Sequence, residues 1–240
     1  MRQFAKHRWW WFTISLTLPT FALAAGGRHV FAPGTVISAA AVNENFRGLD
    51  ERLVALEARS AALVTYVRWG KTTCANDART VYVGFAAGNH FELPGSGAGT
   101  LCLHDTPEWL SYDDANQNPA VIFGTEYQTS GYGVGLDSNH DSDARCVVCE
   151  VPRAVELMVP GRTSCPEGWT LEYNGYLMSH QMDESSSDWA CVDAAPESGG
   201  SPANDNGHLW YPTEVECGAL PCVSGGYVQN REVACAVCTK

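Results

Sequence analysis

The pattern of apolar positions divides the chain into an amphipathic helical stretch and a long β-rich region. Between residues 38 and 64, apolar side chains recur at spacings of three and four, which is the pattern of a heptad repeat. The seam positions of this repeat are Phe46, Leu49, Leu53, Leu56 and Leu63. Ser38 is suited to cap the start of the helix. From residue 65 onward the helical period is lost, and short β-prone runs such as TVYVGFA and AVIFGTEY alternate with turn signals.

Charged residues flank the seam in an arrangement that favours a parallel coiled coil. With Phe46 at position a, Asp50 and Glu57 fall at e. Arg52 and Arg59 fall at g, so that Arg52 faces Glu57 of a parallel neighbour. A single helix packed on its own domain would explain the apolar positions but not the complementary charges. About three heptads are marginally stable alone, so we expect the β-rich head to help hold the stem together, with the number of chains left open.

The N-terminal segment has the layout of a secretory signal peptide. A basic stretch over residues 1–8 precedes an apolar stretch over residues 9–24, which ends in the small-x-small sequence ALA. An uncleaved membrane anchor is the alternative, but the apolar stretch is short for a span and contains Pro19. We therefore expect residues 1–24 to be removed, residues 25–37 to form a linker, and the mature protein to be secreted with no membrane span.

The β-rich region is an internal repeat. The spacing of four cysteines recurs 89 to 91 residues later, and FGTEY in the first copy matches YPTEV in the second. The copies span residues 65–151 and 156–240, and only the second contains Cys217 and Cys222, which lie close enough in sequence to bridge each other. The predicted fold class is mainly β: a disulfide-rich head of two tandem homologous β units, preceded by a short α-helical coiled-coil stem.

Composition and charge disfavour some classes of partner and indicate what the cysteines do. The net charge is −12 at pH 7, and residues 1–24 contribute basic residues but no acid. The mature chain is therefore strongly acidic, which disfavours a nucleic-acid partner and an anionic membrane surface. All ten cysteines lie in the head, and an even number is typical of a disulfide framework in an oxidising compartment. A zinc site built from the two CxxC pairs would leave six cysteines unexplained, and neither CxxC has the βαβ context of a thioredoxin-like redox motif.

One acidic segment has oxygen ligands at alternate positions, as calcium loops do. The candidate ligands are Asp137, Asn139, Asp141 and Asp143. The glycine that follows the third ligand in such loops is missing, and Val148 stands where a calcium loop has its last carboxylate. A solvated acidic turn is the favoured interpretation, and calcium is the alternative.

The remaining candidate sites are single residues, and none forms a recognisable catalytic motif. Trp109, in a polar stretch, is expected to be exposed and is a possible glycan contact. Glu126 and Glu214 recur in the two copies, either to bind a ligand or, as we favour, to fix the same turn by hydrogen bonds. GxSxG, HExxH and P-loop motifs are absent from the sequence, so we expect a non-catalytic protein without a cofactor.

Several stretches of the head resemble the C-terminal non-collagenous domain of collagens. RCVVCEVP ends the first copy, SCPEGWTLEYNGYLM opens the second, and CAVCTK ends the chain, as in the duplicated domain of type IV collagen. YVRWGKTTC, LCLHD and GTEYQT resemble the short-chain, spongin-like collagens more closely. The resemblance covers residues 65–240, but no Gly-X-Y repeat precedes the head. The stem, VISAAAVNENFRGL, is similar to stems of bacterial surface and tail-fibre-like proteins.

The resemblance implies a disulfide pairing that cysteine spacing alone leaves open. In a six-cysteine half of the family, the first cysteine pairs with the last, the second with the fifth, and the central two with each other. Transferred to this chain, the implied pairs are Cys74–Cys149, Cys102–Cys146, Cys165–Cys238, Cys191–Cys235 and Cys217–Cys222.

The resemblance also implies a function. In collagen families this domain selects and registers chains, forms trimers and joins trimers into networks. We therefore expect a secreted structural or adhesive protein that forms a homo-oligomer, with a trimer favoured, at the cell exterior and in contact with extracellular matrix or surface glycan. A carbohydrate-binding, lectin-like oligomeric head is the alternative from another class, in which the stem supplies avidity. An extracellular hydrolase is a distant third.

Overall fold

The structure is a computed structural model that describes residues 29–59, 62–117, 119–222 and 225–240. The expected signal peptide, residues 1–24, and the start of the linker lie outside the described residues. The chain divides into two compact units, residues 1–60 and residues 61–240. Within the described ranges, no helix combines the length and the apolar character that a membrane crossing requires.

Among residues 29–59 of the first unit, the structure has one helix, α1 (Ala39–Arg59). The Ser38 hydroxyl accepts a hydrogen bond from the Ala41 N–H at 3.1 Å, which is the predicted cap. Within the single chain the described seam residues of α1 are all more than half exposed: Phe46, Leu49, Leu53 and Leu56. The predicted seam does not reach Leu63 as a helix, because residues 62 and 63 are irregular and the β-branched pair that follows already begins a strand.

The second unit is mainly β, as predicted, and its eleven strands form one sheet. Val is the most frequent residue in these strands, and its β-branched side chain suits half-buried pleated surfaces. The strands are β1 (Val64–Trp69), β2 (Arg79–Gly88), β3 (Leu101–His104), β4 (Phe123–Tyr127), β5 (Asp143–Val151), β6 (Glu156–Pro160), β7 (Thr170–Ser179), β8 (Ala190–Asp193), β9 (Ser198–Gly199), β10 (His208–Pro212) and β11 (Ala234–Thr239). A single 3-10 turn, Asp137–Asn139, precedes β5.

The strands of each half pair in the same order. In the first half, β2 pairs antiparallel with β5 along one edge and with β3 and β4 along the other, and β5 also pairs with β1. In the second half, β7 pairs antiparallel with β11 along one edge and with β8 and β10 along the other, and β11 also pairs with β6. Each of these contacts in the first half therefore has a counterpart in the second.

The two halves also pair with each other. Strand β10 lies parallel to β4 over three residue pairs, from His208 opposite Thr125 to Trp210 opposite Tyr127. Strand β8 meets β1 in parallel, and β9 pairs antiparallel with β5. Because β10 pairs with β7 as well as with β4, the paired strands form a closed cycle in the order β10, β4, β2, β5, β1, β8, β7 and back to β10.

Both hydrophobic clusters of the head mix residues from the two halves. In one cluster, Tyr66 of the first half packs with Tyr173 of the second, and their ring centroids are 6.3 Å apart. In the other, the fully buried Trp210 packs against Trp69 and Tyr127 of the first half. The halves thus share their core, which agrees with residues 61–240 forming one compact unit.

All ten cysteines are paired, and every bridge lies within one half. The pairs are Cys74–Cys149, Cys102–Cys146, Cys165–Cys238, Cys191–Cys235 and Cys217–Cys222. They are the same five pairs that the resemblance implies. Strand β3 is joined to β5, and β8 to β11, by bridges that each span 44 residues. Five disulfides are typical of a protein that folds in an oxidising environment.

We predict that the short bridge contributes least to stability. The Cys217–Cys222 bridge spans 5 residues and the Cys165–Cys238 bridge spans 73. In the loop-entropy model these constrain the unfolded chain by about 2 and about 4 kcal/mol respectively. Urea unfolding of the Cys217→Ser/Cys222→Ser and Cys165→Ser/Cys238→Ser variants should show the smaller loss of unfolding free energy in the first. A larger loss in the short-bridge variant would contradict this ranking.

Candidate functional site

The junction between the halves is built around one carboxylate, which we name the Glu197 clamp: Gly70, Lys71 and Thr72 of the first half around Glu197 of the second. The Glu197 N–H donates to the Gly70 carbonyl at 2.7 Å. The Glu197 carboxylate accepts hydrogen bonds from the Thr72 N–H at 3.0 Å and the Thr72 hydroxyl at 2.8 Å. Lys71 Nζ lies 3.6 Å from its other oxygen. Burial raises the pKa of Glu197, but the Thr72 hydrogen bonds and the Lys71 charge outweigh it, so the pKa lies below its usual value.

Gly70 is the backbone position that the clamp depends on. Its φ of +85° lies in the left-handed region that favours glycine. A Cβ at Gly70 would lie only 2.9 Å from the Cβ of Pro196, so the missing side chain is what allows Pro196 to pack against the backbone. Two contacts therefore hold Pro196-Glu197 on the first half: Pro196 packs closely on the Gly70 backbone, and the Glu197 carboxylate accepts hydrogen bonds from Thr72.

A more buried ion pair lies beside the clamp. Arg68 Nη2 and Asp193 Oδ2 are 2.7 Å apart, and less than a fifth of either side chain is exposed. Loss of one member would leave a buried charge without its partner, so we expect either single substitution to destabilise the junction.

His208 is a deeply buried ionisable group at the junction. It is fully buried; its Nδ1 lies 2.9 Å from the Thr125 hydroxyl and its Nε2 lies 2.8 Å from the Ser187 hydroxyl. The ring of His180 is 4.5 Å from the ring of His208. Burial, with a smaller contribution from His180, lowers the pKa of His208 to about 3. Gly88 of β2 leaves the space that this imidazole fills.

The contact between Ser187 and His208 has the distance of a nucleophile–base pair, but its environment favours a structural role. A general base works best when its pKa lies near the working pH, and a pKa of about 3 makes His208 a weak proton acceptor. The partner on the other ring nitrogen is the neutral Thr125 hydroxyl rather than a carboxylate, so an imidazolium would gain no charge partner there. The arrangement suits a neutral ring that joins β4 to β10.

A polar cleft of about 760 Å³ lies where the loops that follow β2 and β7 meet. Ser185 joins these loops, since its N–H donates to the Phe91 carbonyl at 2.7 Å and its hydroxyl donates to the His90 carbonyl at 2.9 Å. The lining is acidic, with Asp183 and Glu184 among its side chains. Asn89 also lines the cleft, and its buried Oδ1 has no hydrogen-bond partner. The sequence did not point to this cleft.

The four candidate calcium ligands have separate partners in the structure. Asp137 accepts a hydrogen bond from Gly131, and Asp141 accepts one from Gln128. The Asn139 amide is buried and donates to Pro196 and Ser198 of the second half, and Asp143 accepts from the Ser201 N–H. Across the part of the chain that the structure describes, no group of three or more His, Cys, Asp or Glu side chains is placed to hold a metal ion.

Trp109 is 75% exposed, as the sequence predicts. It lies in the segment 105–122, which follows β3 and is irregular along its described residues. Leu110, Tyr112 and Ile122 of the same segment are also exposed. Several apolar side chains of this otherwise polar segment are thus exposed beside the tryptophan. Trp189, which sequence reasoning did not single out, is exposed as well.

The recurring glutamates do not play the same role in the two halves. Glu126 is buried, and its Oε1 accepts hydrogen bonds from the N–H groups of Asp205 and Asn206. Burial raises the pKa of Glu126, although these two hydrogen bonds oppose the rise. Glu214 is exposed and pairs only through its backbone with Glu232. The expected turn-fixing role therefore applies to Glu126, which fixes a loop of the other half.

Sequence reasoning missed the Glu197 clamp and His208. A signal for the clamp was present, because Pro-Glu occurs at 107–108 and again 89 residues later, and Gly-x-Thr occurs at 70–72 and again 91 residues later. No such signal exists for His208, since Ala120 stands at the matching position of the first copy. Its role depends on the pairing of β4 with β10, which the repeat does not reveal.

We predict that His208 makes the head sensitive to acid. Its pKa is about 3 in the folded chain and near 6.5 when unfolded, so the unfolded chain binds the extra proton as the pH falls below about 6.5. The folded state then loses stability, by about 2 to 3 kcal/mol from this group at pH 4.5. Urea unfolding at pH 7.5 and 4.5 should show that the gap between wild type and His208→Gln narrows in acid.

The control for this measurement is His104→Gln, because half of the His104 side chain is exposed. Its stability difference from wild type should change little between the two pH values. A gap between wild type and His208→Gln that stays constant with pH would mean that His208 is not held neutral by burial.

Comparison with models of known protein families gave no match to this chain. The structure is a disulfide-bonded β head whose two halves are joined by the Glu197 clamp and by the strand pairs β1–β8 and β4–β10. The single chain also leaves exposed the helical seam and several apolar side chains that follow β3, among them Trp109, Leu110 and Tyr112.

Proposed function

We propose that this protein is a secreted, non-catalytic structural or adhesive protein whose collagen-type C-terminal head assembles into homo-oligomers at the cell exterior. The support comes from the resemblance to the collagen domain, from the five disulfides and from exposed surfaces that fit self-association. A trimer is the favoured state because the resembling collagen domains form trimers. Extracellular matrix is the partner of this proposal, surface glycan is the partner of the alternative described below, and no nucleic-acid partner fits the acidic chain.

One observation carries the proposal: β3 and β6 are edge strands whose counterparts pair with each other. Strand β8 corresponds to β3, and β1 corresponds to β6. Within the chain, β8 and β1 meet at Val192 and Trp69. The described pairing leaves β3 with only β2 and β6 with only β11. An unpaired strand edge can pair with a strand of another chain. The chain forms the β1–β8 pair internally, and the corresponding strands β6 and β3 are both left with a free edge.

Tandem duplication is part of the proposal. Residues 65–151 and 156–240 would be two homologous β units, and the matching order of strand pairs supports this. The equivalent bridges Cys102–Cys146 and Cys191–Cys235 span the same number of residues. If one half binds the homologous half of the same chain, the equivalent surfaces that remain free are suited to bind another chain.

The stem is the second element of the assembly. Helix α1 is 21 residues long, and its four described seam residues are exposed in the single chain. A helix of this length gains most of its stability from burial of its apolar stripe. A parallel coiled coil would bury that stripe between chains and place the heads side by side.

We predict that the mature chain is an oligomer and that Leu49→Asp/Leu56→Asp lowers its mass in solution. Both leucines lie on the seam, so aspartates would place charge in the helix interface while the disulfide-bonded head stays folded. Light scattering at micromolar concentration measures the mass. The matched control is Val54→Asp, because Val54 is exposed on the same helix but lies off the seam. A monomeric wild-type chain would overturn the proposal.

A carbohydrate-binding head is the competing proposal, and two observations favour it. Trp109 exposes an aromatic face suited to stack on a sugar. The acidic cleft is lined by Asp183, Glu184 and Asn89, whose polar side chains suit the hydroxyl groups of a sugar. Glycan-array binding that depends on Trp109, Asn89 or added calcium would support this alternative, whereas a purely structural head should bind none of the glycans.

A further inference from the structure

We infer that Asn206-Gly207 is a site of spontaneous chemical modification, at which the asparagine converts to aspartate or isoaspartate and thereby weakens the junction between the two halves. The conversion needs only water, and the inference does not depend on self-association. An asparagine followed by glycine is especially labile, because glycine has no Cβ to shield its nitrogen from the asparagine side chain. The sequence contains this pair twice, at Asn174-Gly175 and at Asn206-Gly207.

The reaction takes place within the chain. The backbone nitrogen of Gly207 loses its proton to hydroxide and attacks Cγ of Asn206. A C–N bond forms, the bond between Cγ and Nδ2 breaks, and Nδ2 takes up a proton and leaves as ammonia. Water then opens the cyclic succinimide at either of its carbonyl carbons. One product is aspartate, and the other is isoaspartate, in which the main chain runs through the side-chain methylene.

Asn206 lies where the chain can move enough to react. It belongs to the loop 200–207 between β9 and β10, in which residues 201–205 are exposed and Asn206 is half-buried. Within the described residues, its side-chain amide makes no hydrogen bond. Loops of this kind open locally more often than paired strands do. The φ of Asn206 is +48°, which asparagine tolerates better than most residues, so a labile residue stands where few others fit.

Asn174 is also followed by glycine, but the fold holds it in place. It lies within β7, opposite Ala236 of β11. Its carbonyl accepts a hydrogen bond from the Ala194 N–H at 3.0 Å, and its side-chain amide donates to the Thr163 carbonyl at 2.9 Å. Succinimide formation turns the side chain back onto the next peptide nitrogen, so these contacts must break first. The fold therefore protects Asn174 and leaves Asn206 open to reaction.

The reactive position lies against the junction. The Asn206 N–H donates to Oε1 of the buried Glu126 at 3.0 Å. Gly207 is buried, and a Cβ there would lie only 2.8 Å from the Gly124 carbonyl oxygen. Strand β10 begins at the next residue, His208. Isoaspartate lengthens the main chain by one methylene at this point, so the Glu126 hydrogen bond and the close contact at Gly207 can no longer both be kept.

The new charge acts in the same direction. Both products place a carboxylate where the neutral amide was, in an acidic neighbourhood. Glu126 lies opposite Asp143 in the pairing of β4 with β5, and Asp143 accepts a hydrogen bond from the Ser201 N–H of the same loop. Burial raises the pKa of Glu126, and the charges of Asp205 and Asp143 act in the same sense. A further negative charge in the loop therefore adds repulsion where the loop is held on the first half.

The test ages the mature full-length chain at about pH 8.5 and compares the two asparagines by mass spectrometry. Cleavage after glutamate separates them, because Asn174 falls in the peptide 173–184 and Asn206 in the peptide 198–214, and neither peptide contains a cysteine. In the folded chain, Asn206 should convert at least about tenfold faster than Asn174, because only its loop opens readily. In the reduced chain in urea, the two rates should agree to within about threefold, since nothing protects either residue.

Matched variants test what the conversion does to the head. Asn206→Asp places the product charge at the site and should unfold at a lower urea concentration than wild type. Asn204→Asp is the control: it adds the same charge to the same exposed loop, but the hydrogen bonds to Glu126 come from the two residues that follow. It should unfold like wild type. Asn206→Gln forms a cyclic imide far more slowly, so its peptide 198–214 should keep its mass on ageing.

Two results would overturn the inference. In one, Asn206 and Asn174 convert equally slowly in the folded chain, so the loop does not expose the reactive pair. In the other, aged wild-type chain with Asn206 converted unfolds at the same urea concentration as fresh chain, so the conversion does not weaken the junction. Neither measurement needs a variant to fold. A monomeric wild-type chain would overturn the proposed assembly function and leave this inference standing.

Discussion

The head depends on strand β10 being shared between the two halves. Its backbone pairs with β7 of its own half and with β4 of the other, and the Gln128 N–H donates to the Trp210 carbonyl at 2.8 Å. Alternate side chains of a strand face opposite sides, and both sides of β10 are covered here, since His208, Leu209 and Trp210 are all buried. Thr125 and Tyr127 of β4 lie opposite His208 and Trp210. Neither half encloses these side chains alone.

The sequence predicted the features that each half determines by itself. The recurring cysteine spacing corresponds to equivalent disulfides in the two halves. The two bridges that span 44 residues join β3 to β5 and β8 to β11, with Cα–Cα distances of 5.8 and 5.7 Å. The cap at Ser38 and the exposure of Trp109 also follow from local patterns. The contacts between halves were not predicted. The parallel meeting of β1 and β8 involves one residue pair, Trp69 and Val192, which leaves no periodic trace in the sequence.

Local sequence similarity also failed to predict the burial of residues that contact the other half. Glu126 and Glu214 share a TE motif, yet Glu126 is buried under a loop of the second half while Glu214 is exposed. The alternating acidic residues also lie in different environments. Asp137 and Asn139 are part of a 3-10 turn, whereas Asp143 begins β5. Asn139 then finds its hydrogen bonds in the second half.

The shortness of the two edge strands has a consequence for solubility. A long, flat edge accepts almost any extended chain, and this is how ordered proteins are drawn into fibrils. Strand β3 has four residues, and β6 has five and ends at Pro160, which has no N–H to offer a neighbour. A stray peptide therefore finds few backbone groups to bind at either edge. Tight binding there requires the side-chain fit of a matching surface, so brevity protects the molecule from indiscriminate aggregation.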